Sequence, residues 1–256
     1  AGRSLLLRCE QGLGDIIQFA RYVPLLAATG ARVSLMGPAR LRRLLAPLAG
    51  LATYVGDDEA APDVDFHAPL LSVPHLLASK DIPHEGPYLV AEPELVESWR
   101  ERLGDDGRRR IGISWQGNPS YAMDYLRSIP MQCIADMIEG MDARFFVLQR
   151  GEGAPATAED LGAELDASDA FVDTAAVMAS LDLVITSDTA IAHLAGALGR
   201  PVWVLLPFAP DWRWRLECTS CAWYPGMELF RQPAPGDWAG LTARVRAMLR
   251  ATARVI

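Results

Sequence analysis

The sequence predicts an α/β protein with two doubly wound domains that face each other across a cleft. The chain opens with a strand, a glycine-rich turn and a helix. After the segment 104–107 (GDDG), which is typical of a linker, a second series of strands and helices begins. A strand–turn–helix–strand unit then occupies 181–206. Strands that alternate with helices favour parallel sheets with helices on both faces.

Composition limits the class of protein. The 256 residues are 50% hydrophobic, which provides enough apolar content for two cores, and the net charge of −8 argues against a general nucleic-acid partner. No apolar run approaches the ~20 residues of a membrane span. The chain begins almost inside its first strand, so we expect it to be a piece of a longer protein.

Cysteine spacing predicts no metal site. Cys218 and Cys221 form one CxxC pair, and a zinc site would need two further ligands at suitable spacing. Reduced thiols and a cytoplasmic location are therefore expected. We also expect no cofactor.

The first predicted domain, 1–106, begins with a strand at Ser4–Arg8 and the turn Gln11-Gly12-Leu13-Gly14. The GxG lacks the third glycine of a dinucleotide-binding turn, so it is a weak phosphate signal. Asp15 follows at the start of an amphipathic helix, either as a simple helix cap or as a group that faces the cleft. The pattern continues with strands at 32–36, 51–55 and 64–71 and helices at 39–48 and 94–103.

The second predicted domain, 107–235, restarts the pattern with a strand at Arg110–Trp115. A polar loop follows it to Ser128, and Trp115, Asn118 and Asp124 are candidate cleft residues. A helix starts at Ile129-Pro130, because proline suits the first helical turn. The next strand, 144–148, ends at Gln149.

The unit at 181–206 carries the clearest binding signal. A buried strand ends at Ser187, Asp188 and Thr189, and a helix follows until Gly199. Ligands bind at the carboxyl ends of strands in open parallel sheets, and the N–H groups of a helix start suit phosphate. His193 lies four residues after Thr189 on the same helix face, where it either meets a phosphate or satisfies a core hydrogen bond.

The tail contains a tryptophan-rich loop and a final helix. Trp212 lies in the loop 207–223, where aromatic side chains either stack on a base or sugar or pack the loop on the surface. The segment 236–256, with a helix predicted over 238–253, is expected to pack back on the first domain.

In five segments taken together, the chain resembles glycosyltransferase family 9, the heptosyltransferase type, in its bacterial form linked to tetratricopeptide repeats. The segments are EQGLGD (10–15), WQGNP (115–119), DYLRSIP (124–130), SDTAIAH (187–193) and PFAPDWRW (207–214). The resemblance covers nearly the whole chain. It implies a GT-B fold of two Rossmann-like domains and metal-independent, inverting transfer from a nucleotide-diphosphate sugar to a protein or glycan acceptor.

The resemblance also implies residue roles. Asp15 matches the catalytic base, and Arg127 matches a cation near the donor diphosphate. The donor-binding set is Arg127, Gln149, Ser187, Asp188, Thr189 and His193, with Gln11, Gly12 and Gly14 in the loop of the acceptor-side domain. Ala190 departs from the family's Asp-Thr-Gly, and an alanine limits how closely a phosphate approaches the backbone.

Two other function classes remain as alternatives. A non-catalytic nucleotide- or sugar-binding module would keep the same fold without turnover. A dehydrogenase that uses a nicotinamide cofactor is disfavoured, because neither half carries a complete GxGxxG with an acidic residue ~20 positions further on.

Overall fold

A computed structural model describes residues 2–79, 81–83, 86–151 and 153–252. The described residues form ten strands, which are arranged in two parallel sheets. The strands are β1 Ser4–Arg8, β2 Arg32–Gly37, β3 Leu51–Gly56, β4 Phe66–Pro69, β5 Arg109–Ser114, β6 Ala143–Val147, β7 Ala158–Asp160, β8 Leu183–Ser187, β9 Val202–Leu206 and β10 Met227–Arg231.

Helices connect most of these strands, since neighbouring parallel strands need a crossover connection. They are α1 Leu13–Phe19, α2 Val23–Ala28, α3 Arg42–Leu45, α4 Val73–Leu76, α5 Pro93–Leu103, α6 Asp124–Arg127, α7 Met131–Ile138, α8 Val172–Ala179, α9 Ala190–Ala197 and α10 Trp238–Thr252. Short 3-10 turns lie at 20–22, 39–41, 70–72 and 212–214.

The first sheet has the order β3-β2-β1-β4, and every pairing in it is parallel. The second has the order β10-β9-β8-β5-β6-β7, again with parallel pairings. In the second sheet the strands are added outward in two directions from the central β5–β8 pair, which is the Rossmann order. Buried strands such as β8 (LVITS) and β9 (VWVLL) read as continuous apolar runs because helices cover both faces.

Helix α1 of the first sheet packs directly against helix α9 of the second. The apolar core is continuous across this contact and includes Leu7, Ile16, Val184 and Ile191. A Cβ on Gly14 would lie 3.0 Å from Cδ2 of His193 and 3.2 Å from the Cα atom of Ala190. The glycine therefore allows the two helices their close approach.

Arg21 adds a polar connection between the two layers, by which we mean the first sheet with its helices and the second sheet with its helices. Its guanidinium donates to the carbonyl oxygens of Trp223 (2.6 Å) and Pro83 (3.1 Å) and lies over the rings of Tyr88 and Tyr224. It is 5% exposed, so a buried cation is here satisfied by hydrogen bonds and aromatic faces.

The structure corrects the expected position of the final helix. Helix α10 packs against α7 and β10 of the second layer, with Leu241 and Val245 in the same core as Ile111. Arg246 fixes it by donating to the carbonyl oxygen of Glu139 (2.6 Å). The prediction that 236–256 packs on the first domain is wrong, because an amphipathic pattern defines an apolar face and not its partner. Residues 253–256 lie outside the described residues.

Three further elements differ from the sequence predictions. Helix α5, grouped with the first domain, packs against α8, where the Trp99 indole donates to Asp173 (3.0 Å). Strands β7 and β10 were not predicted from the sequence; both are short strands at the edges of the second sheet. Among the described residues, no helix has the length and apolar character needed to cross a bilayer.

Substitution of Gly14 tests the close helix contact. We expect Gly14→Ala to lower the free energy of unfolding by about 1–3 kcal/mol, because the new methyl group meets backbone that cannot move aside easily. Urea unfolding measures the change. Gly226→Ala is the matched control, since a Cβ there meets nothing within 4 Å, and an equal loss in both variants would contradict the account.

Candidate functional site

The topology places a site at the carboxyl ends of β5 and β8. These two strands are the central pair from which the second sheet extends in both directions. In open α/β sheets, ligands bind in the crevice at this position. The loop after β5 carries Trp115 to Arg127, and the turn after β8 carries Ser187 to Thr189, so the two predicted segments meet there.

Gln149 fixes the start of the loop after β5. Its Oε1 accepts hydrogen bonds from the backbone N–H groups of Trp115 (2.9 Å) and Gln116 (3.1 Å). Trp115 itself is buried. Asn118 is exposed, and its Oδ1 accepts from the N–H of Ser120 (3.0 Å) to close a local turn. All three predicted residues therefore shape the loop.

Arg127 is aligned by a buried carboxylate. Asp124 is 3% exposed, and its Oδ1 accepts from Nε of Arg127 at 2.9 Å while Oδ2 accepts from the Ser128 hydroxyl at 2.7 Å. The guanidinium also lies 5.0 Å above the centre of the Tyr121 ring. A Cβ at Gly117 would lie 2.6 Å from Nη2 of Arg127, so this position also has no room for a larger residue.

Ser187, Asp188 and Thr189 are all buried. The hydroxyls of Thr189 and Thr186 lie 3.2 Å apart. Burial raises the pKa of Asp188, while the Trp214 indole and the charges of Arg213 and Arg127 act against that rise. Asp188 is thus a buried acid within the electrostatic reach of two guanidinium groups.

Helix α9 begins directly after this turn, with Thr189 as its N-cap in an extended conformation. The Thr189 side chain makes no capping hydrogen bond to this helix start. Its first N–H groups therefore lack the usual side-chain acceptor and suit an anion. At the other end, Gly199 has φ of +67°, as a helix-terminating glycine requires.

His193 lies inside the contact between the two layers. Its Nδ1 is 3.2 Å from the hydroxyl of Tyr224, and its ring stacks on Trp214 with centroids 5.4 Å apart. Burial, reinforced by the charges of Arg213, Arg21 and Arg127, lowers the pKa of His193 well below 6.5. The side chain is a neutral, packed imidazole in this structure.

Asp15 uses both of its carboxylate oxygens. Oδ2 accepts from the N–H of Gly12 at 3.0 Å, which caps helix α1. Oδ1 accepts from Nη2 of Arg213 at 2.6 Å, and the two side chains are 19% and 14% exposed. Of the neighbouring predicted residues, Gly12 is the helix cap and Gln11 is exposed with φ of +65°.

Arg213 was not among the site residues predicted from the sequence, although it lies in the segment PFAPDWRW (207–214) that carries part of the resemblance. The arginine lies in the 3-10 turn Trp212–Trp214 and is 198 positions from Asp15 along the chain. Trp212, a predicted cleft residue, is 65% exposed, and the Arg213 guanidinium lies 5.5 Å from the centre of its ring. An arginine between two tryptophans, in the loop that follows a strand, was the available signal.

The site therefore joins elements from both layers. Arg127 and Arg213 supply positive charge around Asp188 and the start of α9, and Asp15 approaches from the first layer. Within 2–79, 81–83, 86–151 and 153–252, no three His, Cys, Asp or Glu side chains gather as metal ligands would. The arrangement can bind an anionic group and place a carboxylate beside it.

A separate pocket of about 210 Å³ lies at the other end of α9. Its lining includes Gly196, Arg200, Tyr88 and Tyr224. Its lining includes none of the site residues predicted from the sequence, and Arg21 in its wall already donates to three carbonyl oxygens. The pocket therefore lies outside the crevice at the strand ends.

Residues 157–207 match a family model described as Glycosyltransferase family 9 (heptosyltransferase). This segment contains β8, the turn Ser187–Thr189, α9 and β9. The chain is also 28% identical to Protein FlbA of Caulobacter vibrioides over 285 aligned residues. That alignment covers 97% of this chain and 46% of the relative, so the chain spans about half of the relative's length.

Solved structures share the architecture at low identity. The ADP-heptose LPS heptosyltransferase II of E. coli superposes with a TM-score of 0.71 at 12% identity, covering 97% of this chain and 98% of that one. The chain has the GT-B fold. E. coli heptosyltransferase WaaC, solved with ADP-2-deoxy-2-fluoro heptose, gives a TM-score of 0.61 at 11% identity and covers 97% of this chain and 99% of that one.

The neutral state of His193 predicts a pH dependence of stability. The unfolded chain takes up a proton on this histidine below its usual pKa of 6.5, whereas the folded protein does so only at much lower pH. We expect the free energy of unfolding to fall by about 1 kcal/mol between pH 7.5 and 5.5 from this group. Urea unfolding of the wild type and of His193→Gln measures the difference.

The variant should lack that part of the pH dependence. The raised pKa of Asp188 acts in the opposite direction, since its contribution is lost as pH rises above 3.8, and it is common to both proteins. The account would be contradicted by parallel pH profiles.

Proposed function

We propose that this GT-B chain is a glycosyltransferase that uses a nucleotide-diphosphate sugar. The observation that carries the proposal is the meeting of Arg127, Arg213 and the uncapped start of α9 at the central strand pair, with Asp15 beside Arg213. The matches to the family 9 model and to two heptosyltransferase folds support it.

In the proposed reaction, an acceptor hydroxyl attacks the anomeric carbon of the donor sugar. The new C–O bond forms as the bond between that carbon and the diphosphate oxygen breaks, and its electron pair leaves with the diphosphate. Asp15 takes the hydroxyl proton, as a carboxylate within hydrogen-bond reach can do. A single displacement of this kind inverts the anomeric centre.

The leaving diphosphate gains negative charge that must be stabilised. We assign this role to the guanidinium groups of Arg127 and Arg213 and to the first N–H groups of α9. Arginine suits it because its planar fork binds phosphate oxygens in pairs. These residues support a metal-independent reaction, since they provide the positive charge that a divalent ion supplies in other transferases.

Asp124 and Gln149 are proposed as positioning residues for the donor. Asp124 holds Arg127 by its Nε, which leaves the terminal guanidinium nitrogens for a ligand. Gln149 fixes the backbone from which that loop begins. Asp188 and Thr189 set the start of α9, and His193 packs the helix against Trp214 and Gly14.

The acceptor is proposed to be a protein or a glycan. Exposed aromatic and apolar side chains lie in the loops that follow β5 and β9. Such groups bind both sugar faces and apolar peptide side chains. They are Tyr121, Met123, Tyr125, Leu126, Phe208, Trp212 and Leu216.

From the resemblance we also propose that the full-length chain contains tetratricopeptide repeats. From the four free cysteines we propose a cytoplasmic location.

A donor screen tests the proposed function. The melting temperature is measured with each of several nucleotide sugars and nucleoside diphosphates, because a ligand that binds only the folded state raises it. Donors that shift it are then incubated with glycan and protein acceptors. Binding with transfer supports the enzyme, binding without transfer across the panel supports a non-catalytic module, and no shift with any nucleotide would overturn both.

Asp15→Asn separates binding from chemistry. We expect the variant to retain nucleotide binding and to lose transfer by about 10²–10⁴-fold, because the amide cannot accept the acceptor proton. Initial rates at saturating donor measure the loss. Asp63→Asn, which removes an exposed carboxylate of the same layer, should transfer at the wild-type rate, and full activity in Asp15→Asn would refute the role of Asp15.

A further inference from the structure

The proposed base is not free in this structure. One oxygen of Asp15 caps α1 and the other is paired with Arg213 at 2.6 Å. A general base must have an oxygen within hydrogen-bond reach of the proton that it removes. While Arg213 occupies Oδ1, the carboxylate is compensated by a cation, and an acceptor hydroxyl must compete with that cation for it.

Arg213 has a fixed backbone and a side chain with a single close partner in another layer. Its N–H donates to Asp211 (3.1 Å), and its carbonyl oxygen accepts from the Trp223 indole (3.2 Å). The guanidinium contacts Asp15 through Nη2, and Nε lies 3.4 Å from Asp211. The backbone contacts therefore lie within its own loop and beside Trp223, whereas one guanidinium nitrogen joins Arg213 to Asp15.

Arg127 differs from Arg213 in this respect. Its carboxylate partner, Asp124, lies three residues away on the same short helix, is 3% exposed and also accepts from Ser128. That pair is a local unit within one loop. The Asp15–Arg213 pair instead joins residues from two layers, and it lies on the side of the site where the acceptor must meet the base.

We propose that Arg213 exchanges partners during the reaction cycle: it holds Asp15 in the free protein and moves to the donor diphosphate when the nucleotide binds. The inference rests on the proposed function. A diphosphate offers more negative charge and more acceptor oxygens than one carboxylate, so it competes well for a guanidinium. Donor binding would thereby release Oδ1 of Asp15 for the acceptor hydroxyl.

The exchange should lower the affinity of the wild-type protein for a nucleotide. Nucleotide binding must break the Asp15–Arg213 pair, so that removal of the Asp15 charge should strengthen nucleotide binding through Arg213. Direct repulsion between Asp15 and the diphosphate would also strengthen binding on that substitution, but without any need for Arg213. A double-mutant cycle separates the two explanations.

The experiment measures dissociation constants by calorimetry with ADP or UDP, whichever shifts the wild-type melting temperature more. We expect Asp15→Asn to bind about fivefold more tightly than the wild type and Arg213→Gln about tenfold more weakly. Asp15→Asn in the Arg213→Gln background should add nothing. Arg215→Gln, an exposed arginine two residues further on, is the matched control and should bind like the wild type.

Two results would overturn the exchange. One is no gain in affinity for Asp15→Asn, and the other is an equal gain in the Arg213→Gln background, which would show simple repulsion. Arg213→Lys provides a second cation should the glutamine variant not fold, and it should restore part of the coupling. Failure of wild-type protein to bind any nucleotide of the donor screen would instead refute the proposed function, and with it the exchange.

Discussion

The contact between helices α1 and α9 determines how the two parallel sheets meet. Gly14 has no side chain where α1 crosses the start of α9, and a Cβ there would approach both Ala190 and His193. Each sheet alone has a site-forming edge at its strand ends, and this contact brings Asp15 to the edge of the second sheet. The position of the proposed base is thus a consequence of helix packing.

This contact involves Ala190, the residue that departs from the family's pattern. The resemblance predicts a glycine at that position, where a small residue lets other groups approach the helix start. In the structure, the small residue at this point is Gly14 of α1, which lies against the Cα and N atoms of Ala190 at the start of α9. The close approach is retained between the helices, with the glycine on α1.

The charged side chains around the site form two ion pairs, one within a single loop and one between the two layers. Asp124 and Arg127 form a local pair with a buried carboxylate, and one loop determines its geometry, while Asp15 and Arg213 form a pair between layers. Asp188 is within the electrostatic reach of both arginines; burial raises its pKa, and the Trp214 indole, Arg213 and Arg127 oppose that rise. An incoming diphosphate would meet two cations, of which one is held in place and the other is paired with the proposed base.

Much of the fold and some of the site could be predicted from the sequence. Apolar strands ending at polar turns predicted the parallel sheets, and spacing placed Asp15 and Asp188 at strand-to-helix turns. Arg213 was not selected because its partner lies 198 positions away, and no local pattern encodes such a pairing. The partner of α10 was wrong for the same reason, since its apolar face fits more than one surface. Both readings of Asp15 are compatible with the structure, which contains the helix cap and the cleft-facing contact together.

A crystal structure of the protein with ADP bound would test the central claim most directly. The account predicts diphosphate oxygens within about 3.5 Å of the guanidinium groups of both Arg127 and Arg213, at the start of α9, with Arg213 no longer bonded to Asp15. A diphosphate bound elsewhere, such as the pocket beside Arg21, or one that leaves Arg213 on Asp15, would contradict it.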